Sequence, residues 1–450
     1  MKIKNFNFLF LKTLIIRLFS LNISILLGSI IIYSLNFIIL ENYDNYFLCN
    51  TIENINFTFF NSEFSLKYPI SCDLHEYIEG IDRFNSIIEY DHSYQTRPVY
   101  ILIINVISKF VQLFFTSESI LIYLISIFIF HTNILALSSY FFLKILKLDY
   151  SLKIHNIINI FLLVSPIYKW GIFDPAHQTL VFLAFSISLY LLTYVIKNTN
   201  VTFYIFFILG ILYLANKVFI LTFAIYMLKI NLPIKNFAEI KKIIFSFKNY
   251  LYLIVFAIPY LIYELYIQFN GYESYNASVE YWGHFVWIIY FVLGLNNHEG
   301  VWYCTSIPEN FYCYIADTSS VIRYYSIPIF FVAIYFIIRK INEKNLFLNL
   351  LAVFGVFYLF WSFIGWYPPL RFNLYSISPL VTFLFLYIFF NERIFLNRII
   401  VISLYCLYFI SLKHWNYPNV LDINSFYIIL LAFNIAFLIK LYKDYSKTNE

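Results

Sequence analysis

The chain has 450 residues, of which 61% are hydrophobic, 23% aromatic and only 12% charged. Soluble globular proteins carry about 25% charged residues, so this composition excludes an ordinary soluble domain as the expected class. The formal net charge of +5 is mild, and no basic cluster with interleaved aromatic residues occurs, which argues against a nucleic-acid partner.

Long apolar stretches recur from one end of the chain to the other, and they are continuous, as in residues 120–130 and 382–390. In hydrocarbon every backbone polar group must be paired internally, so such stretches must be helices, whereas the strands of a barrel would alternate in character. We therefore predict an all-α polytopic membrane protein with about 12 transmembrane helices of roughly 17–25 residues each.

The first apolar run, residues 18–40, follows three lysines and Arg17. It is too long for the core of a signal peptide and lacks a small-residue cleavage site, so we predict an uncleaved anchor. Because basic residues stay on the cytoplasmic side, the N-terminus is predicted to be cytoplasmic. Residues 41–118 then form a first outer loop that contains interfacial helices.

The helical segments that follow are assigned by the charge of their connections. Residues 98–115 contain Asn105, Lys109 and Gln112, so we predict an interfacial or re-entrant helix there, followed by a span from residue 120. The apolar run 203–228 is interrupted by Asn216 and Lys217, which predicts two short spans that meet near the outer face.

Basic stretches alternate with less basic ones and set the predicted topology. A helical core over residues 119–268 precedes a second outer loop over 269–323 and C-terminal helices over 324–450, all within a single integral membrane domain, residues 1–450. Both termini are predicted to be cytoplasmic. The stretches assigned to the cytoplasmic side are residues 144–153, 229–248, 339–344, 393–398 and 440–447.

Acidic residues near the start of the outer loop are the first candidates for chemistry. On a helix, Asp73, Glu76 and Tyr77 would share one face, at i, i+3 and i+4 spacing. A carboxylate held near the membrane could take a proton from an acceptor hydroxyl. The alternative is a solvated amphipathic helix without a catalytic role.

Arginines at two predicted helix ends are candidates for binding phosphate. Arg97 lies before Pro98 and Tyr100, and Arg371 follows a Trp-Tyr-Pro-Pro-Leu sequence. A guanidinium keeps its charge and bonds pairs of phosphate oxygens. Each arginine could instead extend to lipid headgroups without specificity.

Three further polar residues are candidates on the outer side. Lys217 interrupts an apolar stretch, where a charge is costly and favours a phosphate or carboxylate partner. Asp174 and His177 could position a substrate or bind a divalent cation, although an Asp-Pro pair often marks only a turn. Asp73 and Asp174 are the candidate ligands for such a cation.

Four of the five cysteines fall in predicted polar loops. Cys49 with Cys72, and Cys304 with Cys313, could form bridges if those loops face an oxidising compartment. The sequence leaves their redox state open.

No phosphate-binding loop, dinucleotide fingerprint, nucleophile elbow or zinc-protease sequence is present. Without a nucleotide site, an enzyme acting at the outer face would need an activated substrate delivered in the membrane. A sugar linked to a polyprenyl phosphate meets that requirement.

In order along the chain, these features resemble the GT-C superfamily of membrane glycosyltransferases, of the protein O-mannosyltransferase and aminoarabinose transferase type. The resemblance covers roughly the first 230 residues and one patch near Arg371. It rests on six features of the family, each matched by residues of this chain. They are an outer loop that contains an Asp (Asp73, with Tyr77), a loop end made of a basic residue, Pro and Tyr (Arg97, Pro98 and Tyr100), a Ser-Glu pair (Ser117 and Glu118), an outer Asp (Asp174), a helical hairpin interrupted by Lys (Lys217), and a late Pro-Arg pattern (Pro369, Arg371 and Pro379).

The resemblance implies an inverting transfer of a sugar from a polyprenyl phosphate to a lipid, glycan or protein acceptor at the outer face of a bacterial inner membrane. Asp73, supported by Glu76, would act on the acceptor, and Arg97, Lys217 and Arg371 would hold the donor phosphate. The other predicted substrate-binding residues are Tyr77, Tyr100, Asp174 and His177. The sequence departs from the family where Leu74 follows Asp73, since many members have adjacent Asp and Glu.

Two other interpretations remain open. A polysaccharide polymerase or ligase would also act on lipid-linked glycans, but it would favour paired Arg and His residues in a large outer loop. A lipid or solute transporter would place ionisable groups near the bilayer midplane and would show repeated halves. No internal repeat is evident, and the candidate charges collect at one predicted face.

Overall fold

The computed structural model describes residues 51–59, 62–70, 72–84, 87–89, 93–113, 119–148, 151–165, 167, 179–194, 199–232, 246–273, 327–340, 343–363, 369–410 and 431–443. In these stretches the chain is α-helical, with thirteen helices and one β-hairpin. The predicted helical class is confirmed at this level, and the hairpin is its exception.

The hairpin comes first. Strands β1 (Thr51–Phe59) and β2 (Ser62–Ile70) pair antiparallel, with Thr51 opposite Ile70 and Phe59 opposite Ser62, so residues 60 and 61 connect them. Helix α1 (Cys72–Asp82) follows, and a short 3-10 turn (Ser93–Thr96) leads to the next helix.

Helix α2 (Pro98–Gln112) is the helix predicted between residues 98 and 115. Pro98 occupies its first turn, where a missing N–H costs nothing. One face is buried, and there the Asn105 amide donates to the carbonyl of Ile81 at 2.6 Å. The opposite face exposes apolar side chains, with Val106 58% and Phe110 59% accessible. Its placement at a membrane surface stays a prediction.

Six helices form the central part of the bundle, and helix α5 is the most enclosed, with twelve of its fifteen residues buried. Helix α5 packs against α3 and α7. The six are α3 (Ser119–Ile145), α4 (Leu152–Val164), α5 (Thr179–Thr193), α6 (Thr199–Tyr213), α7 (Phe219–Asn231) and α8 (Phe247–Phe269).

Helices α6 and α8 approach each other closely at Gly210. A Cβ at this position would lie 2.2 Å from the backbone oxygen of Phe256, so only glycine allows the approach. The chain breaks between α6 and α7 at Asn216 and Lys217, as the sequence predicts. The short α6–α7 hairpin is therefore held directly against α8.

Five C-terminal helices complete the described part of the fold, and a buried ion pair joins three of them. Arg339 contacts both carboxylate oxygens of Glu392 at 2.9 Å, and Tyr335 and Asn397 donate to the same carboxylate. The helices are α9 (Ile327–Arg339), α10 (Lys344–Phe363), α11 (Pro369–Asn391), α12 (Phe395–Ile410) and α13 (residues 431–443).

By length and composition, two of the described helices could cross a membrane. They are Leu121–Ile145, within α3, and Phe247–Phe269, which is α8. The first is 72% buried inside the protein and the second only 22%. Other apolar helices have apolar segments of only 10–17 residues, among them Lys344–Phe360 within α10 and Tyr375–Asn391 within α11, so a total of about 12 spans stays a prediction.

Candidate functional site

Arg97 lies directly before α2 and is bonded to helix α1. Its guanidinium donates a hydrogen bond to the hydroxyl of Tyr77. The sequence predicted both residues as binding groups, and the fold brings them together across twenty positions of chain. This hydroxyl is neutral, so the contact orients the guanidinium without neutralising its charge.

The predicted catalytic positions lie on α1. Asp73 and Glu76 belong to this helix, as does Tyr77, so the predicted helical spacing of the three positions is confirmed. Asp73 precedes Tyr77 by four residues, which places the two positions on one face of the helix. The side chains of Asp73 and Glu76 lie outside the described part of the structure.

Tyr100 supports this arrangement from the first turn of α2. Its side chain is fully buried, and its ring meets the Tyr77 ring edge-on at 5.9 Å between centroids. On its other side it contacts Phe130 of α3 at 5.2 Å, also edge-on. Tyr100 therefore packs between Tyr77 and α3, and its role in binding a substrate stays a prediction.

His131, a buried residue of α3, lies next to Tyr100 and was not singled out in the sequence. Its Nδ1 is 2.6 Å from the hydroxyl of Thr179, the first residue of α5. This contact links the start of α5 to α3 at the residue that lies next to Tyr100.

Gln95 anchors the segment before Arg97 to α8. Its backbone carbonyl accepts a hydrogen bond from the Tyr263 hydroxyl at 2.8 Å, and its buried side chain donates to the Ile88 carbonyl at 3.0 Å. Neither Gln95 nor Tyr263 stood out in the sequence, because an amide in a loop and a tyrosine in an aromatic-rich helix are common.

Lys217 joins the same site from the turn between α6 and α7. Burial first, and the positive charge of Arg97 second, lower the pKa of its ammonium, Glu264 opposes both effects, and the resulting pKa is about 8. Such mutual influence requires proximity, so the fold brings Lys217 close to Arg97 although 120 positions separate them in the chain. The turn itself is stabilised by Asn216, whose side-chain oxygen accepts from the backbone N–H of Val218 at 2.9 Å.

Glu264 of α8 is a site residue that the sequence analysis missed. It accepts a hydrogen bond from Tyr260, one turn earlier, and its charge acts on Lys217. A single carboxylate within the apolar run 250–269 was the signal that could have identified it, because charges in such runs are usually functional.

The remaining predicted residues are not placed in the site by the described coordinates. Arg371 lies in the first turn of α11, and its side chain is outside the described part. Asp174 and His177 fall in a stretch that is also outside it. The same holds for Cys49, Cys304, Cys313 and the side chain of Cys72, so both possible bridges stay predictions.

Over the residues that the structure describes, no group of three or more His, Cys, Asp or Glu side chains could hold a metal ion. The side chains of the predicted metal ligands Asp73 and Asp174 lie outside these residues, so a divalent cation stays a prediction.

The site thus contains two cations, Arg97 and Lys217, together with the Tyr77 phenol and the Glu264 carboxylate. These residues come from the start of α2, the α6–α7 turn, α1 and α8, respectively. Guanidinium and ammonium groups are the side chains that bind phosphate and carboxylate oxygens, so the arrangement is suited to holding such a group. No known family model, curated protein or solved structure matches the chain.

Proposed function

We propose that the chain is a multi-pass membrane protein that transfers a sugar from a polyprenyl phosphate to an acceptor at the outer face of a bacterial inner membrane. The observation that carries this proposal is the convergence of Arg97 and Lys217 beside Tyr77, at the edge of an apolar helical bundle. A lipid with an anionic headgroup satisfies both the charge of this site and its apolar surroundings.

In this reaction the two cations, Arg97 and Lys217, would bind the phosphate of the donor. As the bond between the sugar C1 and the phosphate oxygen breaks, the electron pair goes to that oxygen and the headgroup gains charge. Arg97 and Lys217 would stabilise this charge, an interaction that grows toward the transition state. Arg371 is assigned the same role on the strength of the family resemblance.

The acceptor half of the reaction is assigned to α1. Asp73 would take the proton of the acceptor hydroxyl while its oxygen attacks C1 from the face opposite the phosphate, which inverts the configuration. Glu76 lies one turn away, and Asp174 and His177 would help to position the substrate. The products are the glycosylated acceptor and the free polyprenyl phosphate.

The proposal is tested with purified protein in nanodiscs and a panel of synthetic polyprenyl-phosphate sugars, with wild type compared with Asp73→Asn. Loss of transfer in the variant, with its elution profile and donor binding retained, supports the enzyme and its base together. Transfer that survives the substitution removes Asp73 from the mechanism. Neither transfer nor donor binding by wild type contradicts the proposed function and favours the polymerase or transporter alternatives.

A further inference from the structure

We propose that the α9–α10 and α11–α12 connections together form a binding surface for an anionic phospholipid, on the side that the charge pattern assigns to the cytoplasm. This inference requires that the chain lies in a membrane, but it does not depend on sugar transfer. It concerns residues that the proposed function does not use. The surface consists of four cations and a short apolar run: Lys340, Lys344, Arg393, Arg398 and residues 394–396.

The first argument is that the two connections lie side by side. Arg339, the last residue of α9, contacts the carboxylate of Glu392, which directly follows α11, at 2.9 Å. Tyr387 of α11 meets the rings of Phe336 of α9 and Phe347 of α10 at 5.8 Å and 5.4 Å between centroids. Helix α12 begins three residues after Glu392. The end of α9, the start of α10, the end of α11 and the start of α12 are therefore gathered in one place.

The second argument is an excess of positive charge. The buried carboxylate of Glu392 is already neutralised by Arg339. The described residues of the two connections contain one further carboxylate, that of Glu343, and four further cations. Lys344 and Arg393 are both exposed, so their charges are presented at the surface. The cations are Lys340, Lys344, Arg393 and Arg398.

Hydrogen bonds hold the α11–α12 turn in place. The Arg398 Nε donates to the backbone carbonyl of Glu392 at 2.6 Å, and the Arg398 guanidinium lies over the Phe389 ring at 5.9 Å. Tyr335 and Asn397 donate to the Glu392 carboxylate. A turn that is already ordered loses little conformational freedom when a ligand binds to it, which favours binding.

The third argument is an exposed apolar run next to these cations. Ile394, Phe395 and Leu396 are 44%, 75% and 54% accessible, and they follow Arg393 directly. In water this run would expose apolar surface, whereas in hydrocarbon the guanidinium of Arg393 would be desolvated. Both costs are avoided at the boundary between headgroups and acyl chains, where apolar side chains insert and cations meet phosphate.

The charge and the apolar run together select the type of ligand. The phosphate of a zwitterionic lipid is accompanied by the lipid's own cation, whereas the phosphate of an anionic lipid is not. Excess cations at the membrane surface therefore favour the anionic lipid. A soluble phosphate compound would meet the cations but would leave the apolar run in contact with water. An anionic phospholipid satisfies both parts of the surface.

The test measures lipid binding to the full-length protein in neutral detergent by native mass spectrometry. The probes are phosphatidylglycerol and phosphatidylcholine with identical acyl chains. Wild type should bind phosphatidylglycerol more tightly. Lys344→Gln combined with Arg393→Gln should lower this preference about tenfold, because two of the four cations are removed.

A second double variant serves as the matched control. Lys147→Gln combined with Lys153→Gln removes two exposed cations from the α3–α4 connection and should keep the wild-type preference. Any phosphatidylglycerol bound at the Arg97–Lys217 site is common to both double variants, so it does not affect the comparison. Glycerophosphoglycerol, the same headgroup without acyl chains, should not displace phosphatidylglycerol at equal concentration.

Three results would overturn the inference. They are an unchanged preference in the Lys344 and Arg393 double variant, an equal loss of preference in the control, and displacement of the lipid by the soluble headgroup. The proposed function fails separately. If the preference falls as expected but wild type transfers no sugar, the lipid surface stands and the transferase does not. If wild type transfers sugar and the preference is unchanged, only the lipid surface is lost.

Discussion

Lys217 shows how position can make an ordinary side chain sensitive to pH. Burial in the bundle and the positive charge of Arg97 lower the pKa of its ammonium, and Glu264 of α8 raises it. The net result is a pKa of about 8. A lowered pKa means that the charge is present at neutral pH and is lost as pH rises through about 8.

The first prediction follows from this sign. The affinity for a polyprenyl phosphodiester should be constant below about pH 7 and should weaken as pH rises past 8, because the ammonium that attracts the phosphate is lost. Lys217→Arg should keep its affinity up to about pH 10, since a guanidinium stays charged. Titrations at a series of pH values measure this. Lys109→Arg, at an exposed site on α2, serves as the control and should behave as wild type.

Tyr77 is expected to orient Arg97 through the hydrogen bond between their side chains. Tyr77→Phe removes that bond and should weaken phosphodiester binding about tenfold, the order of magnitude for one hydrogen bond to a charged group. Equilibrium binding measures the loss, with Tyr204→Phe on the exposed face of α6 as the matched control. Unchanged affinity would assign Tyr77 to packing alone.

For single residues, the sequence indicates which side chains could bind a phosphate but not which of them lie close together in the fold. Arg97 and Lys217 each stood out as a charge beside apolar sequence, yet nothing in the spacing of residues 97 and 217 says that they meet. Glu264 also carries the signal of an isolated charge, but it lies inside an apolar run rather than at the end of one, where the other candidates lie. Gln95 acts through its backbone carbonyl, which any residue type supplies.

Secondary-structure elements can be predicted from the sequence more readily than contacts between distant residues. The break at Asn216 and Lys217 and the start of α2 at Pro98 follow from local chemistry, and both are found. The β1–β2 hairpin was not predicted, because residues 51–70 lie within the segment 41–118 that the charge pattern predicts to be an outer loop with interfacial helices. Alternating apolar residues in β2, at Phe64, Leu66 and Tyr68, carried the strand signal.

The contact between α6 and α8 offers a test of how the elements position the site. Gly210→Ala would place a Cβ 2.2 Å from the Phe256 carbonyl oxygen, so the two helices must separate. We expect a loss of about 1–3 kcal/mol in stability and weaker phosphodiester binding, because α6 leads to Lys217 and α8 carries Glu264. Thermal unfolding in detergent and titration measure the two effects.

Gly355 of α10 provides the matched control for this prediction. A Cβ there meets nothing within 4 Å, so Gly355→Ala should be neutral or stabilising by up to about 1 kcal/mol, as expected for alanine in a helix. Equal destabilisation by the two substitutions would show that the close approach at Gly210 is not what holds the α6–α7 hairpin in place.

The ion pair between Arg339 and Glu392 makes a second prediction about elements. The Glu392 side chain is fully buried, and Arg339 is 26% exposed. Glu392→Gln removes the negative charge and should destabilise the protein by about 3 kcal/mol, because it leaves the guanidinium without its counter-charge. Arg393→Gln, at the exposed neighbouring position, should change stability little. Similar unfolding temperatures for the two variants would contradict a structural role for the pair.

For the whole molecule, the charge pattern of the sequence assigns the two charged clusters to opposite sides of the membrane. The Arg97–Lys217 site collects residues from segments that the charge pattern assigns to the outer side. The Arg339–Glu392 pair lies among connections that the same pattern assigns to the cytoplasm, where basic residues accumulate. The proposed function requires this orientation, because a donor presented at the outer leaflet reaches only an outward-facing site.

The orientation is tested by labelling single cysteines. After the five native cysteines are replaced by serine, Glu89→Cys introduces a thiol at an exposed position beside Ile88, whose carbonyl binds Gln95. Glu343→Cys introduces one between α9 and α10. A membrane-impermeant maleimide should label position 89 in intact cells and position 343 only after permeabilisation. The reverse pattern would place the site in the cytoplasm and contradict transfer at the outer face, while labelling of both in intact cells would contradict the alternation of sides.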